Sequence, residues 1–304
     1  MNLPSPSSAD AVIAVTGLSR RFGATTALDD VSLYVPRGGV FGLVGENGAG
    51  KTTLIKHLLG LFRAEAGTVR VFGQDPAAAP VEVLGRIGYL SETRDFPAWM
   101  RVDELLPYTE GFYPKWDRGY AGQLRQQFDL NPSTRVRGLS QGQQAKLGLL
   151  LALAFRPELL ILDEPSSGLD PLVRRDILEA IIRSVGDEGR TVLFSSHLLD
   201  EVERVSDHLA MVHRGRVVFS GPLDEVKESH RRLIVRFATA QSAVPRLDGA
   251  LAISGNGREW KVLCGAARGR AAAHVLSLGG VVVDEETPTL DEIFVARAGK
   301  ESSP

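Results

Sequence analysis

An α/β fold, with a mixed-sheet core and a smaller α/β appendage, is what this 304-residue sequence predicts. Three observations carry that expectation. "GVFGLVG" (39–45), "LLILD" (159–163) and "TVLFSS" (191–196) are nearly continuous apolar runs, the pattern of strands buried on both faces of a parallel sheet. Directly after the first run, Leu54, Ile55, Leu58 and Leu59 recur at helical spacing, so the chain reads strand, glycine loop, helix. Past the Gly221-Pro222 breaker the character changes to that of a separate small piece.

Taken in order, residues 12–73 hold short β-type segments, "AVIAV", "VSLYV" and "TVRVF", separated by turns rich in Gly, Asp and Arg. Residues from about 94 to 155 are richer in helix signals, and Tyr108, Phe112, Tyr113 and Trp116 are expected to pack a small helical subdomain there. Between the two later apolar runs Ile177, Ile181 and Ile182 suggest a helical stripe. Beyond Pro222 come a linker helix, the β-like "RRLIVRFA" and "REWKVLCG", an Ala-rich helix near Ala271–Leu278, the strand "GVVVD", and a last helix with Leu290, Ile293 and Phe294 on one side. Cys264 alternates with Trp260 and Val262 and reads as a packing residue on a strand face.

The totals exclude several classes. Thirty-five basic residues against thirty-seven acidic ones lack the basic footprint of a dedicated nucleic-acid binder. One cysteine permits no internal disulfide framework and no Cys-cluster zinc site, and fits a reducing compartment. The start, "MNLPSPSSAD", has no basic and apolar secretory pattern and reads as a loose tail. The longest strongly apolar run, "LGLLLALAF" (147–155), is about half of the ~20 residues a membrane-crossing helix needs.

The chemistry begins at "GENGAGKTT", where Gly45, Gly50, Lys51 and Thr52 satisfy the phosphate-loop pattern between a strand and a helix. In such a loop, here Gly45, Glu46, Asn47, Gly48, Ala49 and Gly50, backbone N–H groups converge on phosphate oxygens. Lys51 reaches the terminal phosphates, the Thr52 hydroxyl coordinates Mg²⁺, and Thr53 continues the first helical turn. A carboxylate at a strand end is needed for the metal and a second one for water, and "LLILDEP" offers Asp163 and Glu164 for these roles. Then "LSQGQQAKLG" (139–148) sets a serine and a glycine before an apolar helix, a second place suited to phosphate.

"GENGAGKTT", "LSQGQ", "LLILDEPSSGLD" and "TVLFSSH", in that order, resemble the nucleotide-binding subunit of an ATP-binding cassette (ABC) transporter over about residues 12–222. "PTLDEIFVA" near the end is similar to the tail of bacterial exporter-type cassettes. The resemblance implies a P-loop NTPase cassette with a mixed-sheet core, an antiparallel β subdomain and a helical subdomain at about 94–155. It divides the chain into a flexible tail (1–10), an ATPase domain (11–222) and a C-terminal accessory α/β domain (223–304). It also implies ATP and Mg²⁺ as ligands, and it explains the second phosphate motif. Ser140, Gln141, Gly142 and Gln143 would serve the nucleotide held by an opposing cassette, in a homodimer or heterodimer that sandwiches two ATP molecules.

Other positions carry over singly. Phe22 resembles the aromatic residue that stacks on adenine, Asp170 the loop aspartate that communicates across the dimer, and His197 the switch histidine that touches the γ-phosphate. The other five histidines are expected at the surface or in packing. Two departures stand out: Glu92 occupies the usual place of a glutamine that reaches Mg²⁺, either adding negative charge there or standing as a solvated loop acid, and Gln141 replaces a glycine while Gly142 is kept. The implied partners are separate transmembrane permease subunits, with no direct nucleic acid, which would hold the chain peripherally on the cytoplasmic face of the cell membrane. The alternatives are a soluble cassette acting on nucleic acid or ribosomes, and a nucleotide-gated regulator with little turnover. One phosphate loop, no sustained heptads and one cysteine weigh against the first, and Glu164 against the second.

Overall fold

A computed structural model describes residues 11–301 except 187, 188, 242 and 245, and the tail expected over residues 1–10 lies outside the described residues. One compact unit ends at Ser220 and a second begins at Gly221.

In the first unit, β1 (Ala11–Phe22) and β2 (Thr25–Pro36) form an antiparallel hairpin, followed by β3 (Gly39–Val44), α1 (Lys51–Leu58) and β4 (Ala66–Val71). β1 lies between β2 and β4 in a three-stranded antiparallel sheet. The chain continues through α2 (Pro80–Leu84), β5 (Ile87–Leu90), α3 (Val102–Glu110), α4 (Arg118–Gln127), α5 (Gln141–Leu153) and β6 (Leu159–Asp163). It then forms α6 (Pro171–Gly186), β7 (Thr191–Ser196), α7 (Leu199–Val205), β8 (His208–His213) and β9 (Arg216–Pro222), whose last two residues fall past Ser220. The large sheet has the order β5-β6-β7-β3-β8-β9, and the β5/β6, β6/β7, β7/β3 and β3/β8 pairs are parallel.

The three apolar runs are the central strands of that sheet, and every residue of β6 and β7 is buried. Register brings their C-terminal ends level: Val44 pairs with Ser196, and Asp163 with Ser195. Between the two sheets lies α1, whose Leu54, Ile55 and Leu58 are completely buried with Ile13, Leu28, Leu43 and Val71. Burying such a side chain contributes about 2 kcal/mol, so the helix that follows the glycine loop is anchored along its length.

Helices α3, α4 and α5 make the helical subdomain, but the expectation for its aromatic residues is corrected. Tyr108 is 50% and Phe112 66% exposed, and the two pair edge-to-face with each other at 5.4 Å. The subdomain interior is filled by Val102, Leu105, Ala121, Leu124, Phe128 and Leu130; of the four expected rings, Tyr113 packs inward, stacked on Phe155 at 3.9 Å. The isoleucine stripe is also narrower than expected. At about 100° per residue, Ile181 lies near Ile177 on the buried face of α6, whereas Ile182 is turned away and is 47% exposed.

The second unit contains α8 (Leu223–Glu228), β10 (Arg231–Gln241), β11 (Ala250–Cys264), α9 (Arg268–Ser277), β12 (Gly280–Glu286) and α10 (Leu290–Glu301). Its antiparallel sheet has β10 in the middle, and Leu233, Val235, Phe237, Trp260, Val262 and Cys264 pack with Ala271 and Val275 of α9. Cys264 is a buried free thiol on the strand face read from its alternation. Among the described residues no helix is long and apolar enough to cross a membrane.

Candidate active site

The loop from Gly45 to Gly50 wraps over the N-terminus of α1. Gly50 takes φ 112°, and a methyl group there would stand 2.6 Å from the Ala27 carbonyl oxygen; one on Gly45 would stand 2.3 Å from that of Val212. Both positions therefore require glycine, because the loop is pressed against the backbone of β2 and of β8. Glu46, Asn47 and Gly48 are exposed, Ala49 is buried, and Thr52 and Thr53 are half-buried in the first turn. No side chain caps α1, so its first N–H groups and the positive end of its dipole face outward, a ready anion site.

Lys51 is buried and turned back over this loop. Its Nζ donates to the Gly45 carbonyl at 2.5 Å and the Glu46 carbonyl at 3.2 Å, and lies 3.0 Å from Glu164 Oε1. The other carboxylate oxygen of Glu164 is 2.8 Å from His197 Nδ1. Glu164 has φ 49°, an uncommon conformation for a residue other than glycine, and it directs the carboxylate back toward Lys51. Asp163 is held by Ser195, whose hydroxyl donates to Asp163 Oδ1 at 2.7 Å and accepts from the Glu164 N–H at 2.9 Å. This links the ends of β6 and β7. Gly45, Glu46, Lys51, Asp163, Glu164 and His197 are thus assembled in one place.

The segment after Glu164 is gripped from two sides. Arg94 Nη2 donates to the Pro165 and Ser167 carbonyls, each at 3.1 Å. Ser166 Oγ donates at 2.6 Å to Glu201 Oε2, which also accepts from Ser196 Oγ at 3.0 Å, and Arg174 lies 3.2 Å from the other oxygen. Sequence reasoning missed Ser195, Ser196, Arg94, Ser166, Arg174 and Glu201. A signal existed for the two strand serines, polar residues ending an otherwise apolar buried run; the others are joined only by the fold.

The remaining sequence candidates stand apart from this cluster. Ser140 is the N-cap of α5, accepting from the Gln143 N–H at 3.2 Å while Gln143 Oε1 accepts from the Ser140 N–H at 3.0 Å. This reciprocal capping box exposes the serine and the helix start. Gly142 packs against Val173 at the start of α6, where a methyl group would meet two carbons at 3.0 Å, and Asp170 caps that helix through the Leu172 and Val173 N–H groups. Gln141 sits beside Gly168 of the same loop. Phe22, 44% exposed, pairs with Phe62 at 5.6 Å under the Arg20 guanidinium. Glu92 is exposed in the turn after β5. Burial pushes the Tyr89 hydroxyl up to about 12, with the charges of Asp163 and then Glu92 adding to the effect, so both carboxylates are felt at the end of β5.

A phosphate loop between parallel strands, an Asp-Glu pair ending the next strand but one, and a histidine after the strand between them define a P-loop nucleotide-binding cassette. The ABC transporter family model matches residues 28–167. Over 294 residues the chain is 29% identical to the ABC transporter ATP-binding protein YtrB of Bacillus subtilis, covering 95% of this chain and 98% of that one. It is 38% identical over 224 residues to the daunorubicin resistance ATP-binding protein DrrA3 of Streptomyces coeruleorubidus, covering 72% of this chain and 71% of that one. A solved ATP-binding subunit of an ABC transporter aligns with TM-score 0.65 and 30% identity, over 71% of this chain and 92% of that one. The chain belongs to the ABC transporter family, as an ATP-binding subunit.

Proposed function

We propose that the chain hydrolyses ATP in a dimer of cassettes and thereby drives export through separate transmembrane subunits. The observation that carries this reading is the buried Lys51–Glu164 ion pair against the phosphate loop, with the exposed His197 on the other oxygen of Glu164. On ATP binding Lys51 exchanges Glu164 for the terminal phosphates, which frees the Glu164 carboxylate to accept a proton from the attacking water. His197 orients that carboxylate and contacts the γ-phosphate, while the loop N–H groups hold the phosphate chain.

The residues suit Mg²⁺. Thr52 offers a hydroxyl at the loop and Asp163 a carboxylate oriented by Ser195, both hard oxygen donors, with Glu92 as a further carboxylate near the end of β5. Such an ion is held by one or two protein groups and the phosphates. When bound, the ion neutralises charge developing on the phosphate oxygens.

Ser140, Gln141, Gly142 and Gln143 complete the site of an opposing copy, or of a close relative, and Asp170 couples the two sites. The exposed, capped start of α5 supports this, since it presents a helix N-terminus outward. Phe22 stacks on adenine, a role that its 44% exposed ring supports. Residues 11–222 act as the ATPase domain and 223–304 as an accessory domain, a division supported by the change of compact unit at Ser220. The exposed Tyr108 and Phe112 support docking of a membrane subunit at the helical subdomain, which would hold the chain on the cytoplasmic membrane face. Export is favoured by the similarity to a daunorubicin resistance protein and by the C-terminal "PTLDEIFVA". The test is ATPase activity of wild-type and Glu164→Gln protein, alone and reconstituted with the co-purified membrane subunits; wild-type turnover by Glu164→Gln overturns the reading of the base.

A further inference from the structure

Beside the C-terminal end of α1, one helix length of ~12 Å from the phosphate loop, lies a cavity of 280 Å³ lined by His57, Phe62, Arg63, Thr68, Arg70 and Asp75 among others. Its charge is asymmetric. The Arg63 and Arg70 side chains are exposed and make no hydrogen bond or ion pair among the described residues; against these two cations the lining carries one carboxylate, Asp75, whose Oδ1 accepts from the Ala77 N–H at 2.9 Å. Two free guanidiniums beside a threonine hydroxyl suit the planar, bidentate recognition of a phosphate group.

The third feature is His57, 1% exposed. Its Nδ1 lies 2.8 Å from the Thr53 carbonyl oxygen, so that nitrogen carries the proton, and Nε2 is left as an acceptor without a partner. A buried unpaired acceptor costs about 1–3 kcal/mol, and burial keeps the ring neutral by holding its pKa below the ordinary value. The chemistry that answers both features is a phosphate for the arginines and, once a shift of Phe62 uncovers the buried Nε2, a hydroxyl for the imidazole.

The cavity is also in contact with Phe22 through one ring. Phe62 lines it and is in contact with His57, ring centroids 5.5 Å apart; on its other side it pairs with Phe22 at 5.6 Å. Phe62 is thus the shared neighbour of His57 and Phe22. We propose that this cavity is an effector site for a hydroxylated phosphomonoester of sugar-phosphate size, and that its occupant alters ATP affinity through Phe62. The coupling rests on Phe22 as the adenine platform; the binding does not.

The test uses full-length Lys51→Ala protein, so that the phosphate loop is disabled, titrated with ribose 5-phosphate by calorimetry. Saturable binding with Kd of about 1 mM or tighter, weakened at least ~tenfold by Arg63→Gln plus Arg70→Gln, supports the site. Absent binding, or binding that the arginine changes leave intact, overturns it. Inorganic phosphate is the second probe, and equal affinity for it and the ester overturns the hydroxyl contact with His57. In otherwise wild-type protein, saturating ribose 5-phosphate should change the Kd for ATP at least ~threefold, and the shift should vanish in the double arginine variant; by linkage the effect is reciprocal. An unchanged Kd overturns the effector role, and a failed Phe22 reading is recognised separately by Phe22→Ala leaving ATP affinity intact.

Discussion

Replacing Ser195 by alanine removes one oxygen and releases two ends of the site. The hydroxyl is completely buried and joins Asp163 Oδ1, at 2.7 Å, to the Glu164 N–H, at 2.9 Å. A hydrogen bond to a charged carboxylate contributes about 1.5–3 kcal/mol, and an orphaned buried N–H costs about 1–3 kcal/mol. Partial relaxation of β6 against β7 recovers some of this, so we expect a loss of about 3 kcal/mol. For a unit of this size, 1 kcal/mol moves Tm by ~2–4 °C, which places the Ser195→Ala transition about 6–12 °C lower. Circular dichroism melts of wild type, Ser195→Ala and Ser195→Cys provide the assay, with cysteine, a weaker donor, falling between the other two. ATPase measured below the transition should drop as well, because Asp163 and Glu164 lose their common anchor. A Tm for Ser195→Ala within about 2 °C of wild type would refute the reasoning, since the bridge would then carry no net stabilisation.

Glu164→Gln should keep ATP binding, lose roughly 10²–10⁴-fold in turnover, and elute as a dimer in ATP on size exclusion; a monomer under saturating ATP would contradict the sandwich. Phe22→Ala should weaken ATP by about threefold to tenfold, the scale of one aromatic contact, with Tm unchanged because the ring is 44% exposed; equilibrium dialysis reads it. Glu92→Gln should change the Mg²⁺ concentration for half-maximal ATPase, and an identical titration curve would remove Glu92 from the metal's surroundings. Burial, opposed by the Thr53 carbonyl, holds His57 below 6.5. The unfolded chain therefore takes up this proton at higher pH than the folded one, so the contribution is complete above 6.5 and is lost as pH falls through the folded pKa, at up to ~1.4 kcal/mol per pH unit. His57→Gln should flatten the decline of Tm between pH 7 and 5, and an unchanged slope would disprove this.

The phosphate loop, the Asp-Glu pair and the apolar central strands were legible because each is a local demand. A glycine is required where backbone meets backbone, a carboxylate where a strand ends, and unbroken apolar sequence where both faces are covered. Such demands fall on neighbouring residues, and a linear reading finds them. The exposure of Tyr108 and Phe112 was not legible, since an aromatic cluster in sequence does not say whether aliphatic side chains from other helices have already filled the interior. Nor was the bridge from Ser195 to Asp163 and Glu164, which depends on the parallel register of β7 against β6. The grip of Arg94 and Glu201 on residues 165–167 joins groups from separate elements, Pro165 lying 71 positions after Arg94 and Glu201 35 positions after Ser166. Hydrogen bonds and burial are satisfied in three dimensions, so only the tertiary structure could decide which distant side chains hold the Glu164 carboxylate in its place.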